Sequence, residues 1–345
     1  MILSYRTRRN LRRTGKFLLI AALIFAVIWV CWMIWVARYM LYDRDAGARL
    51  DFDLPPIPEG NPAVPPTEGP GVEIFYPDST PQGPAPEVVK TSISGYYIDL
   101  DDLQDTAKLT ETLTSLAPGT AVMLDIKSPK GYFYYTSDLE EAADSTNVNV
   151  EQVNALLEYL TNSDLHLIAR LPAFRDWRFG LNHVPSGLAE KGKGGALWMD
   201  DSGCYWLDPT DEKALNYLVR ITKELQSMGF DEVVYYDFRF PKTDKIVFDG
   251  DKSQAIADAA ATLATACATE QLCVSFEADG PDFALPQGNC RVYLRGVDAE
   301  DAETVAQQVV TDDPSLHVLF ITTASNASDT RFEKYCVLRP LESAH

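Results

Sequence analysis

Residues 229–241 read GFDEVVYYDFRFP, a pattern that is typical of a β-strand buried on both faces. The run VVYY shows no alternation of polar and apolar side chains, as expected in a parallel sheet that helices cover on both sides. The block as a whole has the form of a helix exit with two acids, an apolar strand and then Asp-x-Arg-Phe-Pro. The segment therefore predicts a helix followed by a strand, with Asp237 at the carboxyl end of the strand.

Seven other short apolar runs share this character, and helix-like stretches separate most of them. The predicted strands are 93–100, 121–127, 165–173, 232–240, 272–278, 290–296, 316–322 and 335–339. The predicted helices are 103–116, 150–162, 212–228, 253–269 and 299–311. This alternation over about 250 residues predicts an α/β fold, a (β/α)8 TIM-type barrel ectodomain preceded by one transmembrane helix. A seven-stranded or open barrel is the alternative.

The transmembrane prediction rests on residues 17–36, FLLIAALIFAVIWVCWMIWV, a run of twenty residues without a charge. A helix of this length crosses the roughly 30 Å hydrocarbon layer of a bilayer. Six cations and no acid precede the run: Arg6, Arg8, Arg9, Arg12, Arg13 and Lys16. The positive-inside rule then keeps the N-terminus in the cytoplasm. The alternative is a cleaved signal peptide, which has a shorter apolar stretch of about 7–15 residues.

The predicted organisation has four parts. Residues 1–16 form a basic cytoplasmic tail, and residues 17–36 form the transmembrane helix in the lipid bilayer. Residues 37–87, rich in Pro and Gly, form an extended extracellular tether that has too few apolar residues for a core. Residues 88–345 form the barrel domain. We therefore expect a single-pass plasma-membrane protein whose C-terminal domain is extracellular.

Charge and cysteine content exclude several classes of function. The formal net charge of −20 disfavours nucleic acid and anionic lipid headgroups as partners. Five cysteines follow the transmembrane run, an odd number without C-x-x-C spacing, which excludes a disulfide framework and a zinc site. Small buried thiols are expected, with one or two disulfide bridges as the alternative. The four histidines show no metal-ligand spacing, so neither metal nor cofactor is predicted.

Four acids stand at the ends of apolar strand runs: Asp99, Asp125, Asp237 and Glu277. Catalytic residues of TIM barrels lie at these ends, and a carboxylate in apolar surroundings needs a partner or a function. Arg170 and Arg239 are the expected partners. Cleavage of a glycosidic bond requires two carboxylates across a cleft, one as acid and one as nucleophile or base.

Asp237 and Glu277 end consecutive strands and are predicted to be this catalytic pair. Asp125, Arg170, Arg239 and Asp99 are predicted to support it. The alternative is a structural network of ion pairs beneath the site.

A long loop, residues 174–209, follows the third predicted strand and therefore lies on the catalytic face of the barrel. It carries Trp177, Trp198 and Trp206, whose rings offer flat apolar surfaces to the C–H faces of sugars. These side chains are predicted to bind a polysaccharide. The alternative is that the rings only pack the loop onto the barrel.

Several segments between residues 94 and 241 resemble a known family of bacterial TIM-barrel proteins, the putative glycosyl hydrolase domain proteins. They are AVMLDIKSPKGYFYYTS at 121–137, LIARLPAFRD at 167–176, ALW with DDSGCYWLDPTDE at 196–212, and GFDEVVYYDFRFP at 229–241. The resemblance implies an extracellular barrel directed at polysaccharide. It places Asp237 and Asp125 at motif positions, and Asp176, Trp206 and Asp208 at loop positions that bind substrate. Glu277, in VSFEAD, stands where the family usually has Asp, and the likeness fades beyond Asp279.

Two hypotheses follow. The first is a membrane-anchored extracellular glycoside hydrolase that acts on a cell-surface or cell-wall polysaccharide with Asp237 and Glu277 as its carboxylates. The second is a catalytically degenerate glycan-binding or envelope-scaffold domain. A receptor finds little support, because a tail of sixteen residues has no room for an output domain.

Overall fold

The computed structural model describes Trp29, Trp32 and residues 40–43, 47–50, 91–103, 106–278, 280, 283–310 and 312–341. The chain divides into two compact units, Met1–Phe75 and Tyr76–His345.

In the first unit, Met40–Asp43 and Gly47–Leu50 pair as an antiparallel hairpin. The sequence did not predict this hairpin, which falls within the expected tether. Apart from Trp29 and Trp32, the predicted tail and transmembrane helix lie outside the described residues, as does the tether beyond the hairpin. Within the described part of the chain, no helix has both the length and the apolar character needed to cross a membrane.

The second unit contains a closed barrel of eight parallel strands. The strands are β1 Ser94–Ile98, β2 Ala121–Asp125, β3 His166–Pro172, β4 Glu232–Tyr236, β5 Cys273–Ala278, β6 Val292–Arg295, β7 Val318–Ile321 and β8 Cys336–Pro340. Each strand pairs with the next along the chain, and β8 pairs with β1 to close the barrel, with Val337 opposite Ser94. The eight predicted strands are confirmed, and the open and seven-stranded alternatives are wrong.

Helices connect the strands. They are α1 Leu100–Leu103, α2 Thr106–Thr114, α3 Val150–Thr161, α4 Trp177–Asn182, α5 Glu212–Met228, α6 Lys252–Cys267, α7 Ala302–Val309 and α8 Pro314–His317. Short 3-10 turns stand at Val184–Ser186 and Thr330–Lys334. The five predicted helices are confirmed as α2, α3, α5, α6 and α7, with small shifts at their ends.

Capping residues fix where the longer helices begin and end. The side chain of Asn149 accepts a hydrogen bond from the Gln152 N–H at the start of α3, and Asp211 accepts one from the Ala214 N–H at the start of α5. Gly229 ends α5 with a φ of +101°, a left-handed conformation that glycine adopts without steric cost. The chain then enters β4, as the stretch 229–241 predicts.

The barrel interior is apolar in its middle and charged at both ends. Alternate residues of a strand face the same side, so β2 turns Ala121, Met123 and Asp125 inward. The apolar layer includes Met123, Ile168, Val234, Tyr293 and Leu319, all fully buried. Charged residues stand at the ends of some of these inward-facing sets of side chains. Ion pairs therefore form at both ends of the barrel.

The five cysteines of the barrel unit are buried and free: Cys204, Cys267, Cys273, Cys290 and Cys336. The prediction of small buried thiols is therefore confirmed, and the alternative of one or two disulfide bridges is wrong for these residues. Burial raises the pKa of the Cys267 thiol to about 11, which keeps it protonated and unreactive.

Candidate active site

The carboxyl ends of the strands bring three of the predicted acids to one rim of the barrel. Asp125 ends β2, Glu277 is the penultimate residue of β5, and Asp237 directly follows β4. Their side chains are partly exposed, by 17% for Asp125, 15% for Glu277 and 14% for Asp237. This is the end of the barrel at which TIM-barrel enzymes place their active sites.

Arg170, on β3, joins two of these acids. Its Nη1 lies 2.7 Å from Asp125 Oδ1 and its Nε lies 2.7 Å from Glu277 Oε2. Its guanidinium carbon lies 4.0 Å from the ring centroid of Tyr236, in cation–π contact. Burial alone would lower the pKa of Arg170, but the charges of Asp125 and Glu277 raise it well above its usual range. Arg170 is thus a permanent cation shared by two carboxylates.

Two tyrosines extend this group. The Tyr97 hydroxyl donates a hydrogen bond of 2.7 Å to Asp125 Oδ2. Burial, together with the nearby charge of Asp125, raises the pKa of Tyr97, and the same two causes raise the pKa of Tyr134 to about 12. Both phenols therefore stay protonated at neutral pH. They can donate hydrogen bonds at this rim.

Asp237 has an unusual backbone conformation. Its φ is +50°, in the left-handed region that residues other than glycine rarely occupy. Such residues concentrate at functional sites, where the surrounding fold holds them in place. Its carboxylate lies between two guanidinium groups, with Arg239 Nη2 at 3.3 Å and Arg175 Nη1 at 3.5 Å. The two arginines balance its negative charge.

Asp200 holds Arg175 in position. It accepts hydrogen bonds from Arg175 Nε at 2.7 Å, from the Cys204 N–H at 2.9 Å and from Trp206 Nε1 at 3.0 Å. Burial alone would raise the pKa of Asp200, but these bonds and those from a neighbouring serine lower it to about 2. Asp200 is therefore a fixed anion on the long loop that orients Arg175 towards Asp237.

The three tryptophans of the loop differ in exposure. Trp206 is only 3% exposed, and Arg239 lies over its ring with the guanidinium carbon 5.0 Å from the centroid. Trp177 and Trp198 are half-buried, and Trp198 packs against the main apolar core. For Trp206 the packing alternative therefore fits better than a sugar-binding surface. Trp177 and Trp198 keep part of their surface accessible to a ligand.

Asp176 lies beneath the loop and has no exposed surface. It forms a buried ion pair with Lys127, and its other oxygen accepts a hydrogen bond of 2.8 Å from the Phe179 N–H at the start of α4. The Tyr217 hydroxyl lies 3.5 Å from the carboxylate oxygen that pairs with Lys127. These contacts tie the first turn of the loop to the barrel and leave the Asp176 carboxylate buried, while its predicted part in substrate binding stays a prediction.

Asp208 and Asp99 mainly organise local backbone. The Asp208 carboxylate accepts hydrogen bonds from the N–H and the hydroxyl of Thr210, at 2.8 and 2.7 Å. Asp99 is exposed at the end of β1, where its carboxylate accepts a hydrogen bond of 3.1 Å from the Asp102 N–H.

The structure thus brings together Asp125, Arg170 and Glu277 in one group, and Asp237 with Arg239 in another. Sequence reasoning missed Tyr97, Arg175 and Asp200. Tyr97 could have been found from its position on β1, two residues before Asp99, where it faces the inside of the barrel. The contact between Arg175 and Asp200 depends on the path of the loop, which no spacing in the sequence reveals.

A cavity of about 550 Å³ opens beside Glu277 and Arg239. Its volume is within the roughly 300–1,000 Å³ of small-molecule sites. Among the residues that the structure describes, no group of three or more His, Cys, Asp or Glu side chains is placed to hold a metal ion.

The central part of the chain matches a known protein family. Residues 95–278 match the model of a family described as "Putative glycosyl hydrolase domain". No curated protein sequence matches this chain.

Several solved structures resemble the barrel. The glycoside hydrolase domain of PgaB (BpsB) from Bordetella bronchiseptica is 11% identical, with 74% of this chain and 96% of that chain covered and a TM-score of 0.51. A hypothetical protein from Ruminiclostridium thermocellum is 23% identical, with 52% and 96% covered and a TM-score of 0.45. The glycoside hydrolase domain of PelA from Pseudomonas aeruginosa is 13% identical, with 73% and 95% covered and a TM-score of 0.45. The likeness to the first of these supports the barrel fold.

Proposed function

Because this chain belongs to the family described as "Putative glycosyl hydrolase domain", we propose that it cleaves glycosidic bonds in a polysaccharide, with Asp237 and Glu277 as the reacting carboxylates. The observation that carries the proposal is their shared position. They end adjacent parallel strands, β4 and β5, on one rim, and each side chain reaches solvent while arginine holds it in place. A pair of positioned carboxylates is what glycosidic cleavage requires.

The charge balance suggests different roles for the two acids. Asp125 and Glu277 share one guanidinium, so their group carries a formal charge of −1, one carboxylate more than its cation balances. Asp237 has two guanidinium groups within 3.5 Å, which balance its charge. We therefore assign Glu277 as the acid that protonates the leaving oxygen. Asp237 is assigned as the nucleophile or as the base that activates water.

The proposed location is the outer face of the plasma membrane. It is supported by the twenty uncharged residues at 17–36, by the six cations before them and by the Pro-rich segment that follows. An anchored hydrolase on a short tether reaches only polymer close to its own membrane. The proposed substrate is therefore a cell-surface or cell-wall polysaccharide.

A second candidate function is glycan binding without cleavage. It is favoured by the close pairing of Glu277 with the buried Arg170, which also suits a carboxylate that only shapes the rim. In that case the domain is a tethered glycan-binding or envelope-scaffold protein.

Release of reducing sugar from peptidoglycan and bacterial polysaccharides tests the two candidates. The full chain is compared with Asp237→Asn and Glu277→Gln, and with Asp201→Asn as a matched control on an exposed loop position. Loss of an acid–base group typically lowers the rate about 10²- to 10⁴-fold, so both site variants should lose release to this extent while the control keeps it. Equal release by Asp237→Asn and the unchanged chain would contradict the assignment. Binding without release by any of the proteins would favour the second candidate.

A further inference from the structure

Two of the three nitrogens of the Arg170 guanidinium hold carboxylates. Nε donates a hydrogen bond of 2.7 Å to Glu277 Oε2, and Nη1 donates one of 2.7 Å to Asp125 Oδ1 and a longer one of 3.4 Å to the Tyr97 hydroxyl. Among the residues that the structure describes, the third nitrogen, Nη2, makes no hydrogen bond, and it is not one of the polar atoms that the fold buries without a partner. Nη2 therefore reaches solvent, although only 7% of the side chain is exposed.

Aromatic rings pack against the same guanidinium. Its carbon lies 4.0 Å from the centroid of the Tyr236 ring and 5.6 Å from that of the Tyr97 ring. These cation–π contacts and the two carboxylates leave the Arg170 side chain little freedom to turn. Nη2 is therefore held in one direction, and a ligand that binds it does not have to immobilise the side chain first.

Glu277 presents an acceptor oxygen beside this nitrogen. Its Oε2 accepts the Arg170 Nε–H, whereas its Oε1 makes no hydrogen bond within the described part of the chain and is not buried without a partner. Nη2 lies on the same edge of the planar guanidinium as the Nε–H. A donor nitrogen and an acceptor oxygen thus stand side by side at the rim. A sugar hydroxyl, which both donates and accepts hydrogen bonds, suits such a pair.

The Tyr97 hydroxyl explains why Nη2 remains available. A carboxylate often takes two nitrogens of an arginine in a fork of two parallel hydrogen bonds. Asp125 instead uses only Oδ1 for Arg170, because its Oδ2 accepts the hydrogen bond of 2.7 Å from the Tyr97 hydroxyl. Without that hydroxyl, Oδ2 could take Nη2 and complete the fork. Tyr97 is thus placed to keep Nη2 away from Asp125.

We propose that Arg170 is a substrate-binding residue whose Nη2 donates a hydrogen bond to a hydroxyl of the sugar unit bound beside Glu277, and that Tyr97 is the positioning residue that keeps Nη2 available. The proposal rests on the proposed function, because it names a contact that selects the sugar at the Glu277 site. Arg170 then has two tasks: it holds the carboxylates through Nε and Nη1, and it binds the sugar through Nη2.

NMR of the full chain in detergent micelles, with ¹⁵N in its arginines, follows Arg170 without any need for turnover. The Arg170 signals are assigned as those that move in Glu277→Gln, since Nε donates to Glu277. The probes are the methyl glycosides of glucose, galactose and N-acetylglucosamine. We expect at least one of them to slow the exchange of the Nη2 protons with water by about tenfold or more, because a hydrogen bond protects them. No change at Nη2 with any of the three probes would overturn the proposal.

Tyrosine variants test the positioning role. Tyr97→Phe keeps the ring but removes the hydroxyl, so Nη2 should pair with Asp125 and its protons should exchange about tenfold more slowly even without sugar. The glycoside that protects Nη2 in the unchanged chain should then have no further effect. Tyr96→Phe is the matched control, because this half-buried tyrosine of the same strand packs on the outside of the barrel. Equal exchange at Nη2 in the two variants would overturn the role of Tyr97.

This proposal and the proposed function can fail separately. If a methyl glycoside protects Nη2 but Asp237→Asn changes no release of sugar, the catalytic assignment fails and the Arg170 contact stands. If release depends on Asp237 and Glu277 but no glycoside changes the exchange at Nη2, the Arg170 contact fails and the hydrolase stands.

Discussion

The two ends of the barrel each hold an arginine paired with carboxylate, but they differ in exposure and in charge balance. At the amino ends of the strands, Arg291 Nη1 lies 2.7 Å from Glu232 Oε2, with side-chain exposures of 5% and 0%. At the carboxyl ends, Arg170 lies between Asp125 and Glu277, whose side chains reach solvent. The first group pairs one acid with one base, and the second has two acids for one base.

This difference separates a structural ion pair from a candidate reactive one. Burial alone would raise the pKa of Glu232, but Arg291 and His166 lower it to about 2, so Glu232 has no proton to exchange at neutral pH. The open group has two acids for one arginine, and both acids reach solvent, so a ligand can contact them. Similar side chains thus stabilise one end of the barrel and leave the other available for chemistry.

The largest expected effect is on the closed end. Glu232→Gln keeps the shape of the side chain but leaves Arg291 buried without a counter-charge, which should reduce the free energy of unfolding by about 3–5 kcal/mol. Chemical denaturation measures the change, and Glu270→Gln, at an exposed turn, is the control. A loss no larger than that of the control would mean that the pair adds nothing to stability.

A smaller effect is expected at Asp200, on the open end. Asp200→Asn removes the anion that receives Arg175 Nε and the Trp206 indole N–H, and should cost about 1–3 kcal/mol at neutral pH. The pKa of Asp200 falls on folding from 3.8 to about 2. Its stabilisation is therefore present above pH 3.8 and is lost as the pH falls towards 2.

Unfolding followed as a function of pH tests this sign. The unchanged chain should lose stability more steeply than Asp200→Asn over that acidic interval. Asp201→Asn, at the neighbouring exposed residue, should follow the unchanged chain. Parallel curves for the unchanged chain and Asp200→Asn would show that the carboxylate is not specially stabilised.

The smallest effect on stability is expected at Glu277. Glu277→Gln leaves Arg170 paired with Asp125 alone, and the side chain lies close to water, so the free energy of unfolding should change by less than about 1 kcal/mol. Sugar release should nevertheless be lost, as proposed above. The same substitution chemistry at Glu232 and at Glu277 would then affect stability at one end of the barrel and activity at the other. A large loss of stability in Glu277→Gln would indicate that the Arg170 group, like the Glu232–Arg291 pair, mainly stabilises the fold.

The barrel could be predicted from sequence because its strands are continuous apolar runs and its helices have apolar residues at helical spacing. The acids at the strand ends predicted the group of Asp125 and Glu277 at the carboxyl ends of the strands, with Arg170 as their partner. The buried Glu232–Arg291 pair could not be found in this way, since the two residues are 59 positions apart and meet only when β4, β5 and β6 lie side by side in the fold.

Other differences have similar physical causes. The family resemblance implied ligand contact for Asp176, but in the structure its carboxylate pairs with the buried Lys127. Trp206 is likewise engaged within the protein, since its indole N–H donates a hydrogen bond to Asp200. The hairpin Met40–Asp43 with Gly47–Leu50 was missed because backbone pairing of such short strands leaves no strong apolar pattern.

The long loop is fastened at its base, and its outer turn is bonded on one side through the Lys191 N–H, which donates to the Lys245 carbonyl at 2.7 Å. Lys127 and Asp176 pin its first turn beneath the rim, whereas Gly192, Gly194 and Gly195 form an outer turn with positive φ values and open space around them. The Glu190 N–H donates to the Ala196 carbonyl and closes that turn on itself. Residues 192–195 are therefore a place where evolution or an engineer can exchange segments of different length, changing the reach of the loop without altering the barrel that carries it.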